Sequence, residues 1–348
     1  MGGTFSQAFR YSPAGYPRRR PFAVILPQNS VNPDATKPPS MILLLGCTAS
    51  GKSAAALELA SRLDAEILSI DSMQVYRRMD IGTAKPTPAE RAAVPHHLID
   101  VAEPGELFSV SRFVELADAA IADIHARGRR VLAVAGTPLY LMGLMYGLFD
   151  GPSADEAFRA HLRARASREG TPALHAELSK FDSKAAERIH PNDLKRIERA
   201  LEVFHLTGRP LSEQQVQWEA GALRYPAIVV GIRRSREDVS RRIRLRVEAM
   251  IAAGLVEEVR SLANELGEQS RQAVGYAEIL THLRGACSLG DAVERIKINT
   301  RQFAKHQRTW FRKFAMTRWI DVEPDETTAS ITERLWQAIT ECRIANSE

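Results

Sequence analysis

The chain has 348 residues, 45% of them hydrophobic and 26% charged, with a formal net charge of +5, which is enough for a full core in one large domain with an insertion, or in two domains. No stretch approaches the roughly 18–20 consecutive apolar residues that cross a bilayer, so no membrane role is expected. Three scattered cysteines, Cys47, Cys287 and Cys342, form no C-x-x-C pair, which argues against a disulfide framework and a zinc module and favours a reducing, cytoplasmic setting.

Residues 1–40 hold five basic side chains (Arg10, Arg18, Arg19, Arg20, Lys37) against the single acid Asp34 and are rich in proline, the composition of a disordered basic tail. Arg19 and Arg20 give only a weak likeness to a twin-arginine or transit signal. The apolar run behind them is too short and no small-residue cleavage site follows, so export is not expected.

Residues 41–45 form the first expected strand. Behind it Gly46, Cys47, Thr48, Ala49, Ser50, Gly51, Lys52 and Ser53 fit GxxxxGK[ST] and lead into an alanine-rich helix, which is a phosphate cradle in its strand-loop-helix setting. The glycines let the backbone turn its N–H groups inward, and the helix adds its positive end. Lys52 would reach terminal phosphates and Ser53 a magnesium ion. The motif announces a diphosphate or triphosphate without saying whether it is ATP.

Residues 66–70 and 131–135 are further strands, the first ending at Asp71 and the second at Gly136-Thr137-Pro138. Both deliver their next residues to the carboxyl edge of a mostly parallel sheet, where ligands of such folds bind. Asp71 could hold magnesium, accept a proton from a nucleophile or cap the next helix. Thr137 before Pro138 reads as an N-cap. The second strand lacks the terminal acid of many nucleotide hydrolases, which weakens an ordinary ATPase reading. His96 and His97 are adjacent and would point to opposite faces of a strand, so a shared metal ion is not expected. His190 reads as a turn and helix-start element.

Residues 155–208 are charged, alanine-rich and free of β-branched runs, a helical insertion carried by the core, and a strand resumes at 227–232. Seven arginines lie within residues 233–246. Arg242 and Arg246 stand four apart on one helical face, placed either to bind a diphosphate or to pair with Glu237, Asp238 and Glu248. Residues 297–320 hold seven basic side chains and no acid. Lys297, Arg301, Lys305, Arg308 and Arg312 make a stripe along a helix whose other side would offer Phe303, Trp310 and Phe314 to the core. Such a row fits a nucleic-acid backbone better than a solvated face, which mixes signs. Residues 41–150 carry 10 basic and 13 acidic side chains, against 23 and 15 in residues 190–318, so the excess positive charge lies away from the phosphate loop and suggests a polyanionic second partner.

These segments together resemble the tRNA dimethylallyltransferases, also called tRNA isopentenyltransferases. The likeness rests on the phosphate loop, on Asp71-Ser72-Met73-Gln74-Val75-Tyr76 with Met79-Asp80-Ile81-Gly82-Thr83-Ala84-Lys85-Pro86, on residues 95–100, and on Gly136-Thr137 with Tyr140. Further matches are His190-Pro191-Asn192-Asp193, Arg199-Ala200-Leu201-Glu202-Val203, Val274-Gly275-Tyr276, and residues 300–310. It covers about residues 41–320, with Cys47 and Ala135 departing from the usual Pro and Gly.

The resemblance implies a P-loop NTPase-like α/β core of residues 41–154 and 209–325 with tRNA-binding helices, and an inserted helical domain, 155–208, closing over the anticodon loop. It implies a monomer that uses Mg2+, dimethylallyl diphosphate and a tRNA anticodon stem-loop, and that prenylates the N6 amine of the adenosine 3′ of the anticodon. Asp71, Lys52 and Arg246 would be catalytic. Asp71, Ser72, Met73 and Gln74 would meet the RNA, as would Thr137 and Arg159. So would Lys195, Arg196, Ile197, Glu198 and Arg199, then Gln272, Ala273, Val274, Gly275, Tyr276 and Ala277, and Lys305, His306, Gln307, Arg308, Thr309, Trp310, Phe311 and Arg312. The rival readings are a P-loop small-molecule kinase or ATPase, a prenyltransferase for free adenine nucleotides, and a non-catalytic RNA-binding protein.

Overall fold

Short apolar runs punctuated by turn residues become six parallel strands: β1 (Met41–Leu45), β2 (Ala65–Ile70), β3 (His96–His97), β4 (Arg130–Ala135), β5 (Ala227–Arg233) and β6 (Arg318–Asp321). They lie in the order β3-β2-β4-β1-β5-β6. The computed structural model describes residues 41–149, 151–215 and 223–345. The expected basic tail, residues 1–40, lies outside the described residues.

Around the sheet run α1 (Lys52–Leu63), α2 (Pro88–Ala93), α3 (Val110–Ala126) and α4 (Pro138–Tyr146). A compact helical unit, whose described residues are 149 and 151–215, holds α5 (Glu156–Glu169), α6 (Thr171–Phe181), α7 (Ser183–Arg188), α8 (Leu194–Thr207) and α9 (Leu211–Gln214). The sheet-bearing unit then resumes with α10 (Arg236–Ala252), α11 (Leu255–Leu262), α12 (Tyr276–Leu283), α13 (Leu289–Phe311) and α14 (Thr328–Ala345).

A parallel sheet covered on both faces needs strands that are apolar throughout, and all five residues of β1 are buried. On one face Ile42 and Leu44 pack with Leu59 and Leu63 of α1 and with Ile331, Leu335 and Ile339 of α14. Each fully buried Leu contributes about 1.5–3 kcal/mol by leaving water. The helical unit has its own core, built from Leu162, Leu174, Leu178, Ile197 and Leu201.

The four longest strands fall where the sequence places them, whereas β3 and β6 are too short to show a pattern. The expected basic row from Lys297 to Arg308 lies on α13, with Arg312 as its C-cap residue, and β6 begins at Arg318. Phe303, expected in the core, is 41% exposed. The buried line of α13 runs instead through Ile296, Ala304, Gln307 and Phe311, a small and a polar residue among them, which hid the register from an apolar count. Lys297 belongs to the interior as well, paired with Glu248 and Glu294 at 3.2 and 2.9 Å.

The segment of residues 80–86 is a structural knot. Arg78 and Ala84 sit at φ 61° and 48°, and Leu98 and Asp100 at 65° and 57°, left-handed conformations that cost about 1–2 kcal/mol per residue outside glycine. Lys85, its side chain 2% exposed, holds them by bonding Tyr76 O at 2.7 Å, Asp80 Oδ1 at 2.5 Å and Asp100 Oδ1 at 2.7 Å. Glu258 adds three acceptor contacts, taking the N–H groups of Asp80, Ile81 and Gly82, while the Tyr276 hydroxyl donates to the same carboxylate. Gly82 must be glycine because a Cβ there would lie 2.4 Å from the Tyr276 ring. His97 bonds Glu66 at 2.7 Å and His96 bonds Val94 O at 2.7 Å, so both histidines serve the fold. Lys85→Met leaves Asp100 without its buried partner, and urea unfolding is expected to show a loss of about 3 kcal/mol.

Candidate active site

Register places the phosphate loop, the tip of β4 and Asp71 side by side. Leu45 pairs with Ala135, and Ala135 pairs with Ile70, so Gly46, Gly136 and Asp71 each stand one residue beyond their strands. Adjacent parallel strands are about 4.8 Å apart, which sets Gly46 and Asp71 roughly 10 Å apart across Gly136. The carboxylate of Asp71 closes part of that gap by leaning over Gly136, where a Cβ would come within 2.8 Å of Oδ2. An acid at the tip of β4 would occupy the space that Asp71 uses, which is why Gly136 stands there.

Asp71 is fixed by its own turn. Oδ1 accepts from Met73 N at 2.9 Å and Gln74 N at 3.3 Å, leaving Oδ2 toward β4. Thr137 is the N-cap residue of α4 with Pro138 in its first turn, as expected, but its side chain makes no capping bond: its hydroxyl accepts from Ser72 N at 2.9 Å and donates to Ser72 Oγ at 3.2 Å. Thr137 thus ties the β4 tip to the Asp71 turn. Gln74 is spent internally, accepting from Ser69 Oγ and donating to Thr83 O and Ala84 O.

In the phosphate loop Ala49 and Gly51 have φ 62° and 94°, the left-handed bends that turn successive amides inward. The first helical bond is Ala55 N to Gly51 O, so the N–H groups of Lys52 and Ser53 precede the ladder and are free for an anion. Three arginines brace the loop. Arg234 Nε donates to Ser50 O and Arg242 Nε to Ala49 O, both at 2.8 Å, and Arg246 NH1 donates to Thr48 Oγ1 at 3.2 Å. The ion pairing weighed against diphosphate binding is real for Arg234 and Arg241, which share Asp238 at 2.9 Å. Arg242 and Arg246 make no ion pair among the described residues.

Burial pushes the Lys52 ammonium and the Arg246 guanidinium below their ordinary values, and Asp71 opposes the shift for both. Two cations, pressed by desolvation and matched by one carboxylate, favour an incoming anion. Cys47 contributes no thiolate, since burial raises its pKa despite the nearby charge of Lys52. For a metal, Ser53 offers an exposed hydroxyl, and no cluster of three His, Cys, Asp or Glu side chains exists among the described residues. That sparse donor set suits magnesium, which keeps waters and leans on substrate phosphates.

The other positions at which the resemblance implies RNA contact separate sharply by exposure. Lys195, Gln272, Lys305, Thr309 and Arg312 are exposed, Arg308 is half-buried, and no ion pair joins Lys305, Arg308 or Arg312 among the described residues. Ile197, Glu198, Ala273, Tyr276, Gln307 and Phe311 are buried, as is Gly275. Tyr140 is core, its hydroxyl on Phe108 O. In the helical unit Arg159 is bidentate on the buried Glu202, at 2.7 and 2.9 Å, and Arg199 joins the same carboxylate at 2.6 Å. Sequence reasoning missed Glu258, which carries no local signature, the hold of Arg234 on the loop within its arginine cluster, and the bridging role of Gln307.

A family model described as IPP transferase matches residues 74–314, and one described as isopentenyl transferase matches residues 39–100. The tRNA dimethylallyltransferase of Methylococcus capsulatus is 50% identical over 292 residues, covering 82% of this chain and 94% of that protein. That of Geobacter metallireducens is 49% identical over 284 residues, covering 81% and 92%. The crystal structure of a full-length tRNA isopentenylpyrophosphate transferase from Bacillus halodurans aligns with a TM-score of 0.63 at 39% identity, over 89% of this chain and 99% of that one. A eukaryotic dimethylallyltransferase acting on tRNA aligns with a TM-score of 0.74 at 27% identity, over 88% and 79%.

Inorganic diphosphate is expected to bind the wild-type chain in titration calorimetry. Lys52→Ala and Arg246→Ala should each weaken it about 10- to 100-fold, the worth of one charge-assisted contact.

Proposed function

The chain belongs to the IPP transferase family, the tRNA dimethylallyltransferases, and from that premise we propose how its residues carry the reaction. The enzyme moves a dimethylallyl group from dimethylallyl diphosphate to the N6 amine of the adenosine 3′ of a tRNA anticodon. The observation that carries the residue assignment is the placement of Asp71 Oδ2 over Gly136, across β4 from a loop whose Lys52 and Arg246 make no ion pair among the described residues and feel Asp71 as their opposing carboxylate.

An adenine amine is a poor nucleophile because its lone pair is delocalised into the ring. Asp71 takes the amine proton as nitrogen bonds to the allylic carbon, and the carbon–oxygen bond to diphosphate breaks. The free amides of Lys52 and Ser53, the Lys52 ammonium and Arg246 hold the departing diphosphate and stabilise the charge it gains. Ser53 would hold magnesium, which would supply further charge neutralisation. The target base must leave its stack to reach Asp71. Lys305, Arg308 and Arg312 on and after α13 bind the anticodon-stem backbone, and Lys195 and Gln272 supply further exposed contacts. The enzyme acts in the cytoplasm as a monomer.

Two experiments follow from this assignment. Asp71→Ala should nearly abolish prenyl transfer with tRNA affinity unchanged, and Gly136→Ala, by displacing the carboxylate, should slow transfer on the order of 100-fold with the same affinity. Full turnover in Asp71→Ala would remove the assigned base. Changing Lys305 and Arg308 together to Ala should weaken tRNA binding and flatten its log–log salt slope by about 1.5–2, as two lost phosphate contacts require.

A further inference from the structure

Helix α13 places an amide on its buried face. Gln307 is 2% exposed, its Oε1 accepting from Thr48 N at 2.7 Å and its Nε2 donating to Gly136 O at 2.5 Å. A buried amide left unpaired costs about 1–3 kcal/mol, so an apolar side chain would fill the space more cheaply. The amide is oriented, with its acceptor on the phosphate loop and its donor on the β4 tip. These are neighbouring segments at the carboxyl edge of the sheet, following the paired strands β1 and β4. Gly136 is the residue over which the Asp71 carboxylate lies, and Thr48 is the residue whose hydroxyl receives Arg246. The same turns of α13 present Lys305 and Arg308, neither of them in an ion pair among the described residues.

We propose that Gln307 is a positioning residue that sets the spacing between the base and the diphosphate cradle and couples that spacing to RNA held on α13. The inference rests on the prenyl-transfer reading. RNA backbone on Lys305 and Arg308 steadies the helix, and Gln307 passes the constraint to Thr48 and Gly136 at once. Reacting atoms held in line gain rate without any new contact to substrate. Occupied by RNA, the helix favours the closed spacing, so diphosphate binds more tightly to the RNA complex than to the free enzyme.

The test compares wild type with Gln307→Met, which keeps length and loses both hydrogen bonds, and with Gln307→Asn, which keeps the amide but shortens its reach. For each, the single-turnover rate at saturating tRNA and dimethylallyl diphosphate, the tRNA Kd, the melting temperature and the effect of an anticodon stem-loop on diphosphate Kd are measured. In the wild type the stem-loop should tighten diphosphate. Gln307→Met should lose that coupling and slow the saturated rate at least 30-fold, with tRNA Kd within 3-fold of wild type. Should Gln307→Met fail to fold, Gln307→Asn carries the same comparison with the same expected signs.

A wild-type rate in the folded variant overturns the inference. So does a weakened tRNA Kd with the saturated rate intact, which makes Gln307 a direct RNA contact, and so does a lowered melting temperature with rate and coupling intact, which makes it core alone. A wild-type enzyme that transfers no prenyl group would instead sink the functional reading on which the inference stands.

Discussion

Unbalanced positive charge at the carboxyl edge of the sheet is the constraint around which this site is organised. Lys52 and Arg246 are driven by burial toward their neutral forms, and the single carboxylate that opposes this is Asp71. A buried cation without a partner is expensive, and an arriving polyphosphate relieves it. The same carboxylate must remain free to take a proton, so it cannot also close a tight ion pair. The structure meets both demands by distance: β4 separates Asp71 from the loop, and the carboxylate leans over a residue with no side chain.

Much of the remaining molecule keeps that spacing. Thr137 fastens the Asp71 turn to β4, and Gln74 fastens it to Thr83 and Ala84, while Lys85 and Glu258 lock the loop that contains them. On the other side Arg234 and Arg242 hold the outer carbonyls of the phosphate loop, so the loop's curvature is set before a ligand arrives. Preorganised donors of this kind cost no rearrangement when charge develops. The helical unit shows the same economy by itself, where Glu202 gathers Arg159 and Arg199 around one buried carboxylate.

The sequence disclosed the phosphate loop, the long strands and Asp71 because each obeys a local rule: a fixed spacing, an apolar run, a polar residue at a strand's end. The α13 register was not legible, since Ala304 and Gln307 occupy its buried line and Phe303 does not. Nor was the fate of Lys297, whose partner Glu248 is 49 residues away. Positions assigned to RNA contact by resemblance alone were mixed, because a recurring motif records packing as readily as chemistry. Asp80 to Pro86, the most specific stretch of the resemblance, shows the packing side of this: it is a knot that reaches Gln74 through Thr83 and Ala84 and Tyr276 through Glu258. Gly136 reads as a simple loop glycine until the carboxylate beside it is seen.

The choice between an isoprenoid diphosphate and a nucleoside triphosphate in the cradle decides whether this reading stands. An unmodified anticodon stem-loop incubated with the purified chain, magnesium and equal concentrations of dimethylallyl diphosphate and ATP, then analysed by mass spectrometry, addresses it directly. One five-carbon unit on the adenosine 3′ of the anticodon, with ATP intact, is the expected result. Consumed ATP beside an unaltered RNA would contradict it.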